Sequence, residues 1–244
     1  MKIAIIGYGR MGRLVEEVAL DRGHEIGCII DAGDEERYES AEFRSCDVAI
    51  QFSTPSTAEK GLLHCFRAGV PVVSGTTGWS ARLPEMQKVC NLGEGTLLWS
   101  SNFSIGMNVF MALNRYLAGI MESIDSYRPE ISETHHIHKL DHPSGTAVTL
   151  AEELVERVGR LSGWKECDRE EATPEGKLPV YYERRGEVPG IHSVRWESDV
   201  DSITLTHDAK SRRGFAVGAV VASEWLRGRN GFFTMKDVFP FLNM

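Results

Sequence analysis

"KIAIIGYGRMG", Lys2 to Gly12, decides the reading of this chain. An apolar β-forming run ends in Ile6, and a G-x-G-x-x-G follows at once, with Gly7, Gly9 and Gly12 leading into a helical pattern. Each glycine is needed for its own reason. The first permits a tight turn, the second lets the backbone approach a pyrophosphate, and the third lets the helix lie close to the strand with its N-terminus facing the anion. Out of context such a motif is merely a glycine-rich turn. Here Met11, Leu14, Val15, Val18 and Ala19 keep helical spacing, Gly23 is placed to stop that helix, and Asp31 ends the next β-run, where a carboxylate hydrogen-bonds a ribose 2′-hydroxyl. The context predicts a dinucleotide site over Gly7, Tyr8, Gly9, Arg10, Met11 and Gly12.

Outward from that turn, short β-rich runs at 24–31, 47–53, 70–75 and 96–101 alternate with helical candidates at 56–68 and 83–92. That β-α-β-α order predicts a mostly parallel, doubly wound sheet of Rossmann type, an α/β domain over residues 1–104. An apolar helix over 107–124 follows, and the texture then becomes strand-rich, at 127–134, 178–186, 190–198 and 201–209, with the partial alternation of a sheet covered on one face. These features predict a second domain over 105–211. A helix from Phe215 and the apolar tail "MKDVFPFLNM" are too short for a third, so they are expected to pack back on an existing domain.

The chain has 244 residues and a net charge of −8, from 27 Lys plus Arg against 35 Asp plus Glu. Such a balance argues against nucleic acid or an anionic membrane as partner and leaves a small ligand held in a local basic pocket. Five scattered cysteines, none in a C-x-x-C pair, form neither a disulfide framework nor a zinc pattern. No run approaches a membrane-spanning length and the N-terminus lacks a secretory pattern, so the expectation is a soluble cytoplasmic protein.

Asp31 bears on nucleotide choice as well, because a carboxylate there repels a 2′-phosphate and the next residue is Ala32 rather than a welcoming arginine. NADH is the expected cofactor, with NADPH use left open by Arg10. "SGTTGW" (74–79) and "SSNFSIG" (100–106) each follow a strand at its carboxyl end, where open α/β sheets bind ligands. They are read as lining the nicotinamide side, against the alternative that Gly-Thr-Thr-Gly is simply a good turn.

The other unusual stretch is "ETHHIHKLDHPSGTA", 133–147, which holds three of the eight histidines within four positions. Three readings compete. A metal site is one, but no second pair stands at zincin or finger spacing, and none is expected. Surface histidines at a strand end are another. The third joins a histidine as proton donor, the Lys139 ammonium, and a helix N-terminus at Gly145 and Thr146 whose free N–H groups form an anion cradle. The helix is marked by Ala147, Val148, Leu150, Ala151, Leu154, Val155 and Val158 on one face. Such a set suits a small substrate bearing carboxylates.

With these residues in view, the chain resembles the 4-hydroxy-tetrahydrodipicolinate reductase (dihydrodipicolinate reductase) family of the diaminopimelate route to lysine. The resemblance rests on "GYGRMG", "SGTTGW", "SSNFSIGMN", "EISETHHIHKLDHPSGTA", "GEVPGIHSVRW" and "LTHDAKSRRGFAVGAVVASEWL". It implies an NAD(P)H-dependent oxidoreductase that delivers a hydride to a cyclic conjugated imine with two carboxylates. By that resemblance His135 is the proton donor and Lys139 its catalytic partner, while His136, Ser144, Gly145 and Thr146 bind substrate carboxylate. Gly7 to Gly12, Asp31, Gly75, Thr76, Thr77, Ser100, Ser101, Asn102 and Phe103 hold the cofactor. It also implies a second, α+β domain on a mixed sheet that builds a homotetramer, and a C-terminal segment, 212–244, that returns to complete the first domain. His138 is left as structural, Lys210, Arg212 and Arg213 are read as a solvated hinge, with a cation patch near the domain cleft as the alternative, and Arg184 and Arg185 as an exposed strand end.

Overall fold

A computed structural model describes residues 1–168 and 174–243, which divide into two compact units, 1–105 with 212–243 and 106–211. The chain runs β1 (Lys2–Ile6), α1 (Arg10–Asp21), β2 (Glu25–Ile30), α2 (Ala41–Arg44), β3 (Val48–Gln51), α3 (Pro55–Ala68), β4 (Val72–Ser74), α4 (Leu83–Asn91) and β5 (Thr96–Trp99). Helix α5 (Ile105–Met121) leads into β6 (Arg128–His135), α6 (Gly145–Arg157), β7 (Gly163–Glu166), β8 (Lys177–Arg184), β9 (Ile191–Glu197) and β10 (Ser202–Asp208). Then α7 (Arg213–Leu226), β11 (Gly231–Phe233) and α8 (Met235–Val238) rejoin the first unit.

The first unit is a six-stranded parallel sheet in the order β11-β5-β4-β3-β1-β2. Its four inner strands are buried along nearly their whole length, as apolar runs covered by helices on both faces must be: Ile3, Ala4, Ile5, Val48, Ala49 and Ile50 are all within 1% of full burial. From β1 the chain passes first to β2 on one side and then to β3, β4 and β5 on the other, so the order reverses at the carboxyl end of β1. That is the switch point where open α/β sheets take ligands, and the glycine turn stands there. Helix α7 is tied to α1 by Arg22 and His24 on Glu224 and by Arg213 on Glu17 and Asp21, with Arg22 Nη2 2.7 Å from Glu224. Arg213 is thus an intra-unit tie rather than a solvated hinge. Strand β11, only three residues long, pairs with β5 between the helix that begins near Phe215 and the apolar tail. All five cysteines are free and buried, and burial pushes the Cys46 and Cys90 thiols up to about 11.

The second unit carries a mixed sheet in the order β10-β9-β6-β8-β7, antiparallel from β10 to β6 and parallel from β6 to β7. One face packs on α5 and α6 through Ile131, Leu178, Val180, Val194 and Trp196 against Met107, Phe110, Leu150 and Leu154. Truncating a fully buried member such as Ile131 to Ala costs about 2–5 kcal/mol. Side chains alternate along a strand, so the face that buries Pro129 and Ile131 also takes in Glu133 and His135. Register places Glu133 opposite His192, which shares its face with Val194 and Trp196. The covered face is therefore apolar through its middle and becomes ionisable at one end. Among the described residues no helix is long and apolar enough to cross a membrane.

Candidate active site

The nucleotide end of the first unit is made of backbone. Gly7, at φ +85°, donates its N–H to the Ile30 carbonyl at 2.8 Å, and a Cβ there would lie 2.2 Å from the Phe52 carbonyl oxygen. A Cβ on Gly12 would lie 2.2 Å from the Gly7 oxygen, so only glycine lets α1 begin this close to β1. Around Gly9, by contrast, nothing stands within 4 Å of where a Cβ would be. It is the N-cap of α1, has no side chain to cap with, and is followed by no acidic residue in the first turn, which leaves N–H groups aimed outward for an anion.

Two cavities flank this turn. One, of about 370 Å³, is lined by Gly7, Gly9, Asp31, Ala32, Tyr38 and Lys60 among others. The second, of about 460 Å³, is lined by Arg10, Met11, Gly75, Thr77, Ser101 and Phe103, together with Phe52 and Arg212. Phe52 borders both. A dinucleotide with its pyrophosphate at Gly9 and its two nucleosides in these hollows fits the residues present. The remaining candidates serve the walls. Tyr8 hydrogen-bonds Glu16, and Thr76 accepts the Ser53 N–H at 2.9 Å. The Thr76 carbonyl receives the indole N–H groups of Trp79 and Trp99, while Ser100 and Asn102 close a local turn on each other. Arg212, read from sequence as part of a hinge, borders the second cavity.

In the second unit the candidate groups are side chains, and they converge on a carboxylate, Glu133, to which the sequence reading gave no role. Glu133 has no exposed side-chain surface. One of its oxygens accepts the Ser144 backbone N–H at 3.0 Å and the Arg184 guanidinium at 3.2 Å. The other faces His135 Nδ1 and His192 Nε2, each at 3.5 Å. Ser144 is the N-cap of α6: its Oγ accepts the Ala147 N–H at 3.2 Å and stands 3.2 Å from His192 Nε2. The next two residues, Gly145 and Thr146, begin the helix with N–H groups that have no intrahelical acceptor, and a Cβ on Gly145 would meet nothing within 4 Å. Arg184 also donates to the carbonyls of Lys139 at 3.2 Å and Asp141 at 2.6 Å, which fastens the loop bearing Lys139. It is mostly buried, not the exposed strand end that its sequence suggests.

Lys139 is paired with Asp141 at 2.7 Å, and that hydrogen bond lowers the Asp141 carboxyl. His138 is exposed and paired with Glu187 at 2.9 Å; His136 is half-buried beside it, with ring centroids 5.9 Å apart. The sequential cluster is thus divided, and the groups that share a centre are Glu133, His135 and His192, with ligand-type atoms within 4.8 Å of one another. Arg184 already supplies that carboxylate with the positive charge a metal ion would bring. A hydrolytic Ser-His-Glu relay is also ruled out by geometry, because Ser144 and Glu133 both address the same nitrogen of His192.

Burial works against charge on both partners at this centre. It pushes the Glu133 carboxyl up, but the facing His192, the Ser144 N–H and the neighbouring His135 outweigh it and hold the group at about 2. His135 is lowered to about 4, by burial first, with the Glu133 carboxylate opposing. In the unliganded protein, then, Glu133 is ionised and His135 neutral at neutral pH.

A doubly wound parallel sheet with an open glycine turn, followed in the chain by a mixed-sheet unit bearing a buried histidine and an anion cradle, defines a nicotinamide-dependent oxidoreductase of two units. The sequence matches the family "Dihydrodipicolinate reductase, N-terminus" over residues 1–103 and "Dihydrodipicolinate reductase, C-terminus" over 106–239. The chain belongs to the dihydrodipicolinate reductase family. It is 46% identical over 240 residues to the 4-hydroxy-tetrahydrodipicolinate reductase of Christiangramia forsetii, covering 98% of this chain and 97% of that one. It is 35% identical over 261 residues to the enzyme of that name from Archaeoglobus fulgidus, covering 97% and 99%. Among solved structures, dipicolinate-bound dihydrodipicolinate reductase from Paenisporosarcina sp. TG-14 shares the fold with a TM-score of 0.77 at 20% identity, over 96% of this chain and 97% of that one.

Proposed function

We propose that this chain catalyses the NAD(P)H-dependent reduction of 4-hydroxy-tetrahydrodipicolinate (dihydrodipicolinate) to tetrahydrodipicolinate, a step of lysine and diaminopimelate biosynthesis, with His135 as proton donor. The observation that carries this reading is the family match along nearly the whole chain, joined to a site in which a buried imidazole, an ammonium and a helix N-terminus occupy one unit. Bound at the glycine turn, a reduced nicotinamide would supply a hydride to the conjugated imine, which forms from the 4-hydroxy compound when its hydroxyl leaves as water. The electron pair displaced from the ring's double bond is then taken up as a C–H bond by a proton from His135. Lys139 leaves Asp141 to meet a substrate carboxylate and stabilises the developing charge. His136, the Ser144 end of α6 and the Gly145 and Thr146 N–H groups hold carboxylate oxygens. Two carboxylates arriving beside His135 oppose its desolvation and restore the imidazolium that donation requires.

Gly7, Gly9, Arg10, Met11 and Asp31, with Gly75, Thr77, Ser101 and Phe103, contact the nucleotide, while Tyr8, Gly12, Thr76, Ser100 and Asn102 shape the walls. NADH is the preferred form: the cavity next to Ala32 presents Asp31 and Glu35 against the single ammonium of Lys60, an unwelcoming balance for a 2′-phosphate. Resemblance to the family supports a homotetramer, and so does the large apolar surface that α5 leaves exposed at Val109, Leu113, Tyr116 and Ile120. A soluble biosynthetic enzyme of the cytoplasm is the setting these features suit.

The test is nucleotide oxidation on addition of freshly generated cyclic imine, with NADH and NADPH in parallel. Turnover with a higher kcat/KM for NADH is expected. No turnover with either nucleotide would overturn the assignment, and a higher kcat/KM for NADPH would overturn the preference. Light scattering should give four chains, and a monomer would contradict the assembly.

A further inference from the structure

We propose that Glu133 is a positioning residue for the reaction: it fixes the His135 ring with Nδ1 toward its carboxylate, so that Nε2 is the donating nitrogen, and ties that ring to the α6 cradle and the Lys139 loop. The inference rests on the roles assigned to His135 and Lys139 above and adds the group that joins them.

A buried carboxylate is costly unless it is compensated, so a fold keeps one only where its partners are built around it. Glu133 has three such arms. Through Ser144, whose N–H it accepts at 3.0 Å, it sets the first residue before the helix N–H groups that meet substrate carboxylate. Through Arg184, at 3.2 Å, it reaches the carbonyl of Lys139. Its remaining oxygen faces His135 Nδ1 and His192 Nε2 and has no closer partner. A carboxylate on Nδ1 selects the proton at that nitrogen in the neutral ring and stabilises the imidazolium.

The opposite edge of the ring supports the same orientation. Gly190, at φ +154°, lies against Nε2, and a Cβ there would stand 3.0 Å from that nitrogen. A side chain at 190 would cover the atom from which the proton leaves. Glycine keeps it open. His192, opposite Glu133 in the β6–β9 register, stands 3.5 Å from the carboxylate and 3.2 Å from Ser144 Oγ, which places it between the acid's partner and the cradle.

The experiment combines Glu133→Gln with a measurement on the unmodified protein. Glu133→Gln preserves shape and an acceptor oxygen for Ser144, while it removes the charge and turns the oxygen facing the imidazoles into an NH2 donor. It is expected to lower kcat about 100-fold, within the range a general acid supplies, with NADH binding unchanged. The alkaline fall of the kcat profile should move to lower pH by roughly one unit or more, since an opposite charge at this range moves a pKa by about 1–3. A purely structural Glu133 would alter thermal stability and expression and leave that profile in place. Because the variant strands a buried guanidinium and can fail to fold, nitrogen NMR of His135 in the wild-type protein decides independently: the neutral ring should carry its proton on Nδ1. A neutral ring protonated on Nε2, or a Glu133→Gln protein with an unmoved pH limb, overturns the proposal. If wild-type protein fails to reduce the imine, the assignment of function falls instead, and the NMR result still judges the geometry.

Discussion

On the proposed reading, the two units would hold a ligand in opposite ways. Around Gly9 the first unit recognises by what is missing: no side chain, no cap and no acid in the first turn, with Gly7 and Gly12 allowing β1 and α1 to approach. Around Glu133 the second unit recognises by what is buried, a charge shared among β6, β8, β9 and the start of α6. The first kind of site tolerates change in its neighbours but not added bulk. The second tolerates little loss of charge. Single substitutions can strike either side of that difference alone.

The largest effect is expected at the imidazole. His135→Gln should lower kcat by about 10²–10⁴-fold and leave NADH affinity near wild type, read by steady-state kinetics beside fluorescence titration. Equal loss of both would mean that the two units do not divide the work in this way. Next comes Lys139→Ala, for which kcat/KM should fall on the order of 30-fold, the equivalent of about 2 kcal/mol for a hydrogen-bonded charge, with KM for the imine rising. In the first unit the damaging change is addition. Gly9→Val should raise KM for NADH about tenfold, some 1.4 kcal/mol, with little change in thermal stability because the space around Gly9 is open. Smaller still, Ala32→Arg should improve kcat/KM for NADPH several-fold by giving the 2′-phosphate a partner.

Acid stability sharpens the same comparison. His135 titrates near 4 in the fold and near 6.5 unfolded, so the unfolded chain binds the extra proton between those values and the protein loses stability as pH falls through that window. Glu133, lowered from 4.5 to about 2, adds a loss in the same direction below pH 4.5. A tenfold difference in proton affinity between folded and unfolded chains is worth about 1.4 kcal/mol, so the coupled pair together contributes on the order of a few kcal/mol. Melting temperature followed from pH 7 to 4 should decline in the wild type and decline less in His135→Gln.

What could be read from sequence follows the same division. A backbone site is local, so "GYGRMG" between a strand and a helix announces the turn, the switch point and Asp31 within some 25 positions. The doubly wound sheet followed from that alternation, and "PSGT" before an apolar face marked the start of α6. Glu133, His192 and Arg184 lie on three strands, and nothing in their spacing joins them before register is known. One signal was present: in "EISETH" the period of two that buries Ile131 and His135 also buries the carboxylate between them, a placement chemistry must explain. Strand β11 was hidden because three residues give no alternation, and Arg212 because a cavity is not encoded by neighbours in the chain.

The destination of two hydrogens tests the division of labour between nicotinamide and imidazole most directly. Wild-type protein supplied with nicotinamide deuterated at its transferable position, in ordinary water, should yield tetrahydrodipicolinate with one deuterium, and the protiated nucleotide in heavy water should place deuterium only at the adjacent carbon, slowly in His135→Gln. Product NMR showing no label passed from the nucleotide, or solvent deuterium at the hydride position, would contradict that division.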